Sequence, residues 1–480
     1  MESSGLKSRM VSGSAWAIAA ELIAGGVNAI TYVVFAKLLS PTDFGLVGFG
    51  LLFINFFPLV IDNSLGLALM RYPEQGDRIL STVFVLNVAL ALGAILLLCL
   101  VSPLAAGVLH DRRVVFVLPI LSAQLLLNSL CSVQMASARR QFRYRQLAPV
   151  RLIASCSSLL VGLPAALLGY GYWALLAASI GSALGQMIAT QVFLGRWPRL
   201  QFDRSVARSV VAFASWVAVD MGVTWMVMSG GGFFLAFFLG THGLGLFRLS
   251  DRIDTFFLGA ILNPLIPVLY ASFCEVSAEA GASWRVFARS IRVLTPVSLA
   301  AAGLVIVAAR PVAGMLSVQW RGIGAIMALN AIADGISFTT LGVPSLLRAH
   351  GLAKVVAVMR IVTVAAQVAV YLSVAKYGLH AFLLGKIGLE IAIYFGSFFV
   401  LRSKFSEPIA GIIKNQAWQM IVVTFCVIAG VAVATRTAVF GEPIALATGV
   451  AVFAVPLAVF LFVTQRELLG SMLHRWVAAR

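Results

Sequence analysis

The chain is a succession of long apolar stretches separated by short polar loops. Because a helix needs about 20 mostly apolar residues to cross the hydrocarbon of a bilayer, each stretch predicts one membrane span. Strands of a membrane barrel would be about half as long and would alternate apolar with polar residues, so helices are favoured. We predict about fourteen spans, at residues 13–38, 44–70, 80–102, 114–137, 148–168, 172–194, 207–238, 243–270, 287–309, 323–347, 352–375, 379–401, 417–435 and 443–464.

Composition agrees with a bilayer as the solvent of this chain. Of its 480 residues, 61% are hydrophobic and 11% are charged, and the mean hydropathy is +0.99. A soluble domain has about a quarter of its residues charged. The sequence therefore predicts an all-α integral membrane protein, and its loops are too short to hold a soluble catalytic domain. We expect no enzymatic activity.

Basic residues alternate between the loops on the two sides of the predicted membrane. One set of loops, with both chain ends, holds about 25 of the 35 Lys and Arg residues, and the opposite set holds about six. Loops rich in Lys and Arg face the cytoplasm. We predict that both termini are cytoplasmic. The net charge of +17 follows from this loop pattern and does not predict nucleic-acid binding.

An internal repeat relates the two halves of the chain. The segment FAKLLSPTDFGLVGF begins at Phe35, and LAFFLGTHGLGLFRL begins 200 positions later at Leu235. A second correspondence joins three basic residues after the fourth span to three after the tenth (Arg139, Arg145 and Arg151 to Arg348, Lys354 and Arg360). Parallel repeats of six spans are a known transporter design, in which a central site opens to alternate sides. We predict six-helix bundles at 1–200 and 201–405, followed by two further spans at 406–480.

Three motifs resemble those of the polysaccharide-transporter family, which includes the Wzx-type and colanic-acid-type flippases. They are LLSPTDFGLVGF after the first span, FLGTHGLGLFRLSDRI after the seventh, and the arginine-rich ASARRQFRYRQLAPVRL after the fourth. The plan of six, six and two helices is also similar. The chain departs from its relatives at SGGGFF, Ser229 to Phe234, where relatives often carry an acidic residue.

The resemblance implies a flippase that moves an undecaprenyl-diphosphate-linked oligosaccharide across the bacterial inner membrane for exopolysaccharide, capsule or lipopolysaccharide biosynthesis. It implies a lipid-linked oligosaccharide substrate, membrane lipids around the protein, and a polysaccharide polymerase with its co-polymerase as partner proteins. Two alternatives on the same fold stay open: an ion-coupled multidrug exporter and a lipid II-type flippase. A membrane glycosyltransferase, polymerase or ligase would need a large periplasmic loop or a cluster of catalytic acids, which the sequence lacks.

Basic residues in or beside the spans are candidates for binding the anionic cargo, because a charge inside the membrane is costly unless it faces a cavity or a partner. Arg248 and Arg252 lie one helical turn apart on the eighth span. A structural interpretation is equally open, in which Asp251 and Asp254 neutralise this pair. Three further candidates also fit membrane anchors that reach the headgroups: Arg71, Arg151 and Arg360.

Acidic residues in the spans are candidates for coupling transport to an ion gradient. Glu21 and Asp220 fall within one residue of equivalent places in the repeat, and Asp62 and Asp334 are the other two candidates. Pairing with a nearby cation is the alternative for each. Glu390 follows Lys386 by four residues, which favours a structural ion pair within one helix.

No cofactor or metal is expected. The five cysteines stand singly in apolar segments, without the paired spacing of a metal or haem site.

Overall fold

A computed structural model describes residues 23–71, 76–141, 143–195, 197–198, 200–259, 265–276, 281–405 and 409–478, together with residues 20 and 262. Glu21 lies outside the described residues.

The described chain is built from helices. In chain order they are α1 (Ile23–Leu38), α2 (Pro41–Phe57), α3 (Asn63–Arg71), α4 (Gly76–Leu109), α5 (Val114–Arg140), α6 (Tyr144–Leu167), α7 (Tyr172–Leu194), α8 (Arg204–Asp254), α9 (Leu265–Glu275), α10 (Ala282–Met315), α11 (Ile323–Phe338), α12 (Gly342–Ala349), α13 (Ala353–Val374), α14 (Leu379–Lys404), α15 (Ala410–Thr437) and α16 (Glu442–Ala478).

The number of spans agrees with the sequence. Among the described residues, 12 helical stretches are long and apolar enough to cross a membrane. One of them, Arg204–Gly259, consists of two helices that meet at Gly240, and the shorter apolar helix Ile23–Leu38 precedes them all. The predicted all-α membrane fold with about fourteen spans is confirmed.

Gly240 separates the seventh span from the eighth within α8. Its backbone has φ 65° and ψ −165°, which is not helical. Glycine adopts a positive φ without the steric cost that a β-carbon brings. This residue lies between the two spans that the sequence predicts at 207–238 and 243–270.

The chain forms two compact units, Met1–Leu249 and Ser250–Arg480. The bundle boundaries predicted from the repeat stay a prediction.

In the first unit, α2 begins at a well-formed cap. Ser40 accepts a hydrogen bond from the backbone nitrogen of Asp43 at 3.2 Å, and the Asp43 carboxylate accepts one from the backbone nitrogen of Ser40 at 3.1 Å. This reciprocal pair satisfies two backbone donors that the first helical turn leaves open. Pro41 occupies the first position of the helix, where its missing N–H costs nothing. The SPTD sequence is therefore a helix start.

Each unit contains one turn of π-helix in a corresponding place of the repeat. Pro58–Asp62 follows α2, and Thr255–Gly259 follows α8. A π-turn inserts a residue into the helical ladder and is frequent at functional sites. In this chain each π-turn adjoins a carboxylate, Asp62 in the first unit and Asp254 in the second.

The two extra spans pack within the second unit. Val307 of α10, Val423 and Cys426 of α15, and Phe453 and Leu457 of α16 form a buried cluster.

A buried hydrogen-bond chain also joins α10, α14 and α15. The Tyr394 hydroxyl donates to Oε1 of Gln416 at 2.7 Å, and Nε2 of Gln416 donates to the Thr295 hydroxyl at 2.8 Å. Polar groups in a low-dielectric interior are costly unless paired. This chain therefore fixes how α15 is rotated against its neighbours.

Candidate functional site

The two copies of the repeated motif are in contact within the first unit. A β-carbon on Gly45 would overlap the carbonyl oxygen of Thr241, and a β-carbon on Gly245 would overlap the carbonyl oxygen of Pro41. The contact is reciprocal, since each glycine faces the helix start of the other copy. The sequence predicted that these segments are equivalent, and the structure adds that they touch.

The side chain of Arg248 lies one turn beyond this contact and rests against two glycines. A β-carbon on Gly48 would lie 2.9 Å from its Cγ, and one on Gly232 would lie 3.1 Å from its Nη2. Gly48 thus gives room to the stem of the arginine, and Gly232 gives room to its guanidinium. Gly232 belongs to the SGGGFF segment. In this chain the segment makes space for a half-buried cation.

Aromatic rings surround this part of the first unit. Their centroids lie 4.9–6.5 Å apart, and the rings meet edge to face. Such edge-to-face contacts are favourable beyond the area that they bury. These rings hold α2 and α8 together beside Arg248. They belong to Phe49, Phe53, Phe56, Trp225 and Phe233.

The other basic candidates are divided between the two units. Arg252 of α8 and Arg360 of α13 are half-buried in the second unit, whereas Arg151 of α6 is exposed in the first. Arg71 ends α3, and its side chain lies outside the described residues.

Asp62 lines a small cavity in the first unit. It ends the π-turn and is hydrogen-bonded to the side chain of Asn87 on α4. The cavity is also lined by Phe57, Pro58 and Ser129. Asn87 in turn donates a hydrogen bond to Ser132 of α5. Asp62 therefore lies beside the polar side chains of Asn87 and Ser129, in a small cavity whose other lining residues are apolar. Asp220, by contrast, is exposed on α8.

Asp334 belongs to a buried group of polar residues in the second unit, which we call the lysine cluster: Asp254, Asn330, Asp334 and Lys386. The Lys386 ammonium donates to Oδ1 of Asp334 at 2.7 Å and to Oδ1 of Asn330 at 2.8 Å. Nδ2 of Asn330 donates to Oδ2 of Asp254 at 2.5 Å and to Oδ2 of Asp334 at 3.4 Å. The cluster ties α8, α11 and α14 together.

Two sequence interpretations change here. Asp254 was one of the residues that could neutralise Arg248 and Arg252, but its hydrogen-bond partners in the described chain are Asn330 and, at 3.5 Å, the Ser250 hydroxyl. Lys386 was paired with Glu390 on its own helix; the structure adds an ion pair with Asp334 on another helix, while the charge of Lys386 still acts on Glu390. Sequence reasoning missed Asn330, although its spacing of four residues from Asp334 puts both on one helical face.

Comparison with known proteins places the chain in a family. A family model described as "Polysaccharide biosynthesis protein" matches residues 34–325. The chain is 23% identical to the succinoglycan biosynthesis transport protein ExoT of Rhizobium meliloti (strain 1021), over 67% of this chain and 65% of that protein. It is 21% identical to the lipopolysaccharide biosynthesis protein WzxC of Escherichia coli (strain K12), over 57% of this chain and 56% of that one. The matches thus span between half and two thirds of these relatives.

Among solved structures, the chain is similar to the lipid II flippase MurJ in an inward closed conformation. The TM-score is 0.70 at 13% sequence identity, and the match covers 94% of this chain and 98% of that one. At this identity the likeness shows a shared fold. The motif resemblance is confirmed by the family model, which matches more than half of the sequence: the chain belongs to the family of polysaccharide biosynthesis proteins and is a multi-pass membrane protein with the fold of the flippases.

Proposed function

We propose that this protein is a flippase that turns an undecaprenyl-diphosphate-linked oligosaccharide from the cytoplasmic to the periplasmic face of a bacterial inner membrane, by alternating access and without making or breaking bonds. The family match and the transport protein ExoT support a role in moving polysaccharide precursors. A polysaccharide polymerase and its co-polymerase would then receive the cargo.

The observation that carries the proposal is the position of Arg248 within a membrane-spanning helix, against Gly48 and Gly232. A cation there is costly unless it has a function or a partner. A lipid diphosphate is dianionic, and the planar guanidinium grips phosphate oxygens through two parallel hydrogen bonds. Arg252 lies one turn further on the same helix, and Arg71, Arg151 and Arg360 are the remaining proposed contacts along the path of the anion.

The test is export of the lipid-linked unit in a strain whose only copy of the protein carries Arg248→Ala, Arg252→Ala or both. We expect the precursor to accumulate on the cytoplasmic face and polysaccharide export to fall at least tenfold. Arg→Lys at either position keeps the charge and loses the fork, so it should retain partial activity. Arg112→Ala, an exposed residue in the loop between α4 and α5, is the matched control.

Normal export by well-expressed single and double Ala variants would show that the two arginines are structural. It would also remove the main support for an anionic cargo and favour the alternative of a multidrug exporter. A lipid II-type flippase has an equally anionic cargo. It is distinguished by which precursor accumulates in the Arg252→Ala strain.

Coupling to an ion gradient is proposed for the acids Glu21, Asp62, Asp220 and Asp334. Asp62 is the strongest of these in the first unit, because it lines a cavity and is hydrogen-bonded to the side chain of Asn87. Asp62→Asn should weaken export while leaving the amount of protein in the membrane unchanged. Both termini are proposed to be cytoplasmic, and alkaline phosphatase activity of a C-terminal fusion would contradict that orientation.

A further inference from the structure

The lysine cluster holds unequal numbers of positive and negative groups. It contains two carboxyl groups, Asp254 and Asp334, and one ammonium, Lys386. Asp254 is buried, with 1% exposed, whereas the side chains of Lys386 and Asp334 are partly buried, with 13% and 22% exposed. With both carboxyls ionised the cluster would carry a net charge of −1. A buried charge without a counterion is strongly unfavourable, and such groups usually neutralise.

The excess negative charge of the cluster would lie on Asp254. Lys386 is bonded to Asp334, so the ammonium compensates that carboxylate. Asp254 receives only the neutral amide of Asn330 and the distant Ser250 hydroxyl, both on Oδ2. Its Oδ1 is buried and has no hydrogen-bond partner among the described residues. A neutral carboxyl group with one unpaired oxygen is far less costly to bury than an isolated carboxylate.

The groups around the cluster include two further carboxyl groups and one arginine. Asp251 on α8 and Glu390 on α14 both lie within electrostatic range, and Glu390 is 8% exposed. Tyr371 of α13 is a neutral neighbour, and Arg252 precedes Asp254 by two residues. From α10, the Ser298 hydroxyl donates to the carbonyl of Gly335 beside Asp334. Lys386 is thus one ammonium facing several carboxyl groups.

Lys386 also occupies the place that a metal cation would take. Its ammonium lies between a carboxylate oxygen and an amide oxygen, and these are the ligand types that hard cations prefer. We propose that the lysine cluster is a proton-binding site in which the Lys386 ammonium fills the cation position and Asp254 carries the exchangeable proton, so that it binds H⁺ and not Na⁺. This goes beyond the proposed cargo, because the site can be measured with no cargo present.

The first measurement is infrared spectroscopy of the purified full-length protein at pH 7. A protonated carboxyl group has a C=O stretching band that a carboxylate lacks. We expect the wild-type spectrum to contain this band and the band to lose intensity in Asp254→Asn or Asp334→Asn. Asp111→Asn, in the loop between α4 and α5 and ionised beside Arg113, is the control and should leave it unchanged. Absence of the band in the wild type, or its full retention in Asp254→Asn, would overturn the proposal.

The second measurement uses Na⁺ as the probe and needs no carboxyl variant to fold. Replacing choline by Na⁺ at constant ionic strength should leave the melting temperature of the wild type unchanged. In Lys386→Gln the cation position is empty, and the melting temperature should rise with the logarithm of Na⁺ concentration. Lys376→Gln, in the loop before α14, should behave as the wild type. Stabilisation of the wild type by Na⁺, or no Na⁺ response in folded Lys386→Gln, would refute the assignment of Lys386 to a cation position.

Discussion

Replacing Gly45 by alanine tests whether the repeated motif is a close helix contact. The new methyl group would overlap the carbonyl oxygen of Thr241 and would lie 2.6 Å from the carbonyl carbon of that residue and 2.9 Å from the backbone nitrogen of Gly245. Carbon atoms in contact are normally about 3.5 Å apart or more. The obstacle is backbone, which cannot rotate away as a side chain can. The two helix starts would therefore have to separate by roughly 1 Å.

The expected cost follows from two opposing effects. Overpacking of a tight contact costs about 1–3 kcal/mol, and a backbone obstacle places Gly45→Ala near the upper end. Alanine in place of glycine within a helix returns about 0.5–1 kcal/mol. We expect a net loss of about 2 kcal/mol in the free energy of unfolding. Gly245→Ala should cost a similar amount, because its methyl group would overlap Pro41 in the same way.

The double variant gives the sharper result. Once one methyl group has separated the helices, the second meets less resistance, so the two losses should not add. The assay is thermal unfolding of the purified protein in detergent, with export measured in parallel. Gly93→Ala on α4 is the matched control, since a β-carbon there meets nothing within 4 Å. If Gly45→Ala unfolds at the same temperature as Gly93→Ala, or if the losses at Gly45 and Gly245 simply add, the two motifs do not share one contact.

Two further predictions concern polar contacts outside the motif. Gln416→Ala leaves the Tyr394 and Thr295 hydroxyls without their hydrogen bonds, so it should lower the free energy of unfolding by about 2–3 kcal/mol, as measured by thermal unfolding. Tyr394→Phe should lower it less, because this change removes the hydroxyl together with its hydrogen bond. The side-chain hydrogen bond from Arg113 lowers the pKa of Asp111 in the folded protein. The ionised Asp111 therefore stabilises the fold above the pKa that it has in the unfolded chain, and this stabilisation is lost as the pH falls through the lower pKa of the folded protein. Because the ion pair is partly exposed, Asp111→Asn should lower the free energy of unfolding by at most about 1 kcal/mol at pH 7. In acid the same change should have no effect, and an equal loss at both pH values would contradict this.

The sequence predicts the spans well because the bilayer imposes a length and a polarity that can be read locally. The helix start at Ser40 is also a local feature, since SPTD contains its own capping groups, but the span predicted from hydropathy began only at 44. Contacts between distant segments are different. The offset of 200 residues shows that Gly45 and Gly245 are equivalent, but equivalence does not say that two segments touch.

The lysine cluster shows the same limit for charged residues. Asp334 could be singled out because a carboxylate in a span is costly anywhere. Its partner could not, because local spacing favours Glu390 for Lys386, whereas the bond seen in the structure joins two helices. The sequence analysis did not select Asn330, because its amide carries no charge. In the structure, this amide links Asp254 to Lys386.

The position of the repeated motif explains why it marks the family and not the cargo. Gly45 and Gly245 are required by a backbone contact, and Ser40, Pro41 and Asp43 by a helix start. These requirements are the same whatever glycan is moved, so relatives named for succinoglycan and for lipopolysaccharide biosynthesis can share them. In the function that we propose, selectivity for a glycan would come from residues that are not needed for this contact. Gly232 is not free of packing in this respect: a β-carbon there would meet the buried Leu52 at 3.0 Å as well as the guanidinium of Arg248 at 3.1 Å, so a larger residue would press on both.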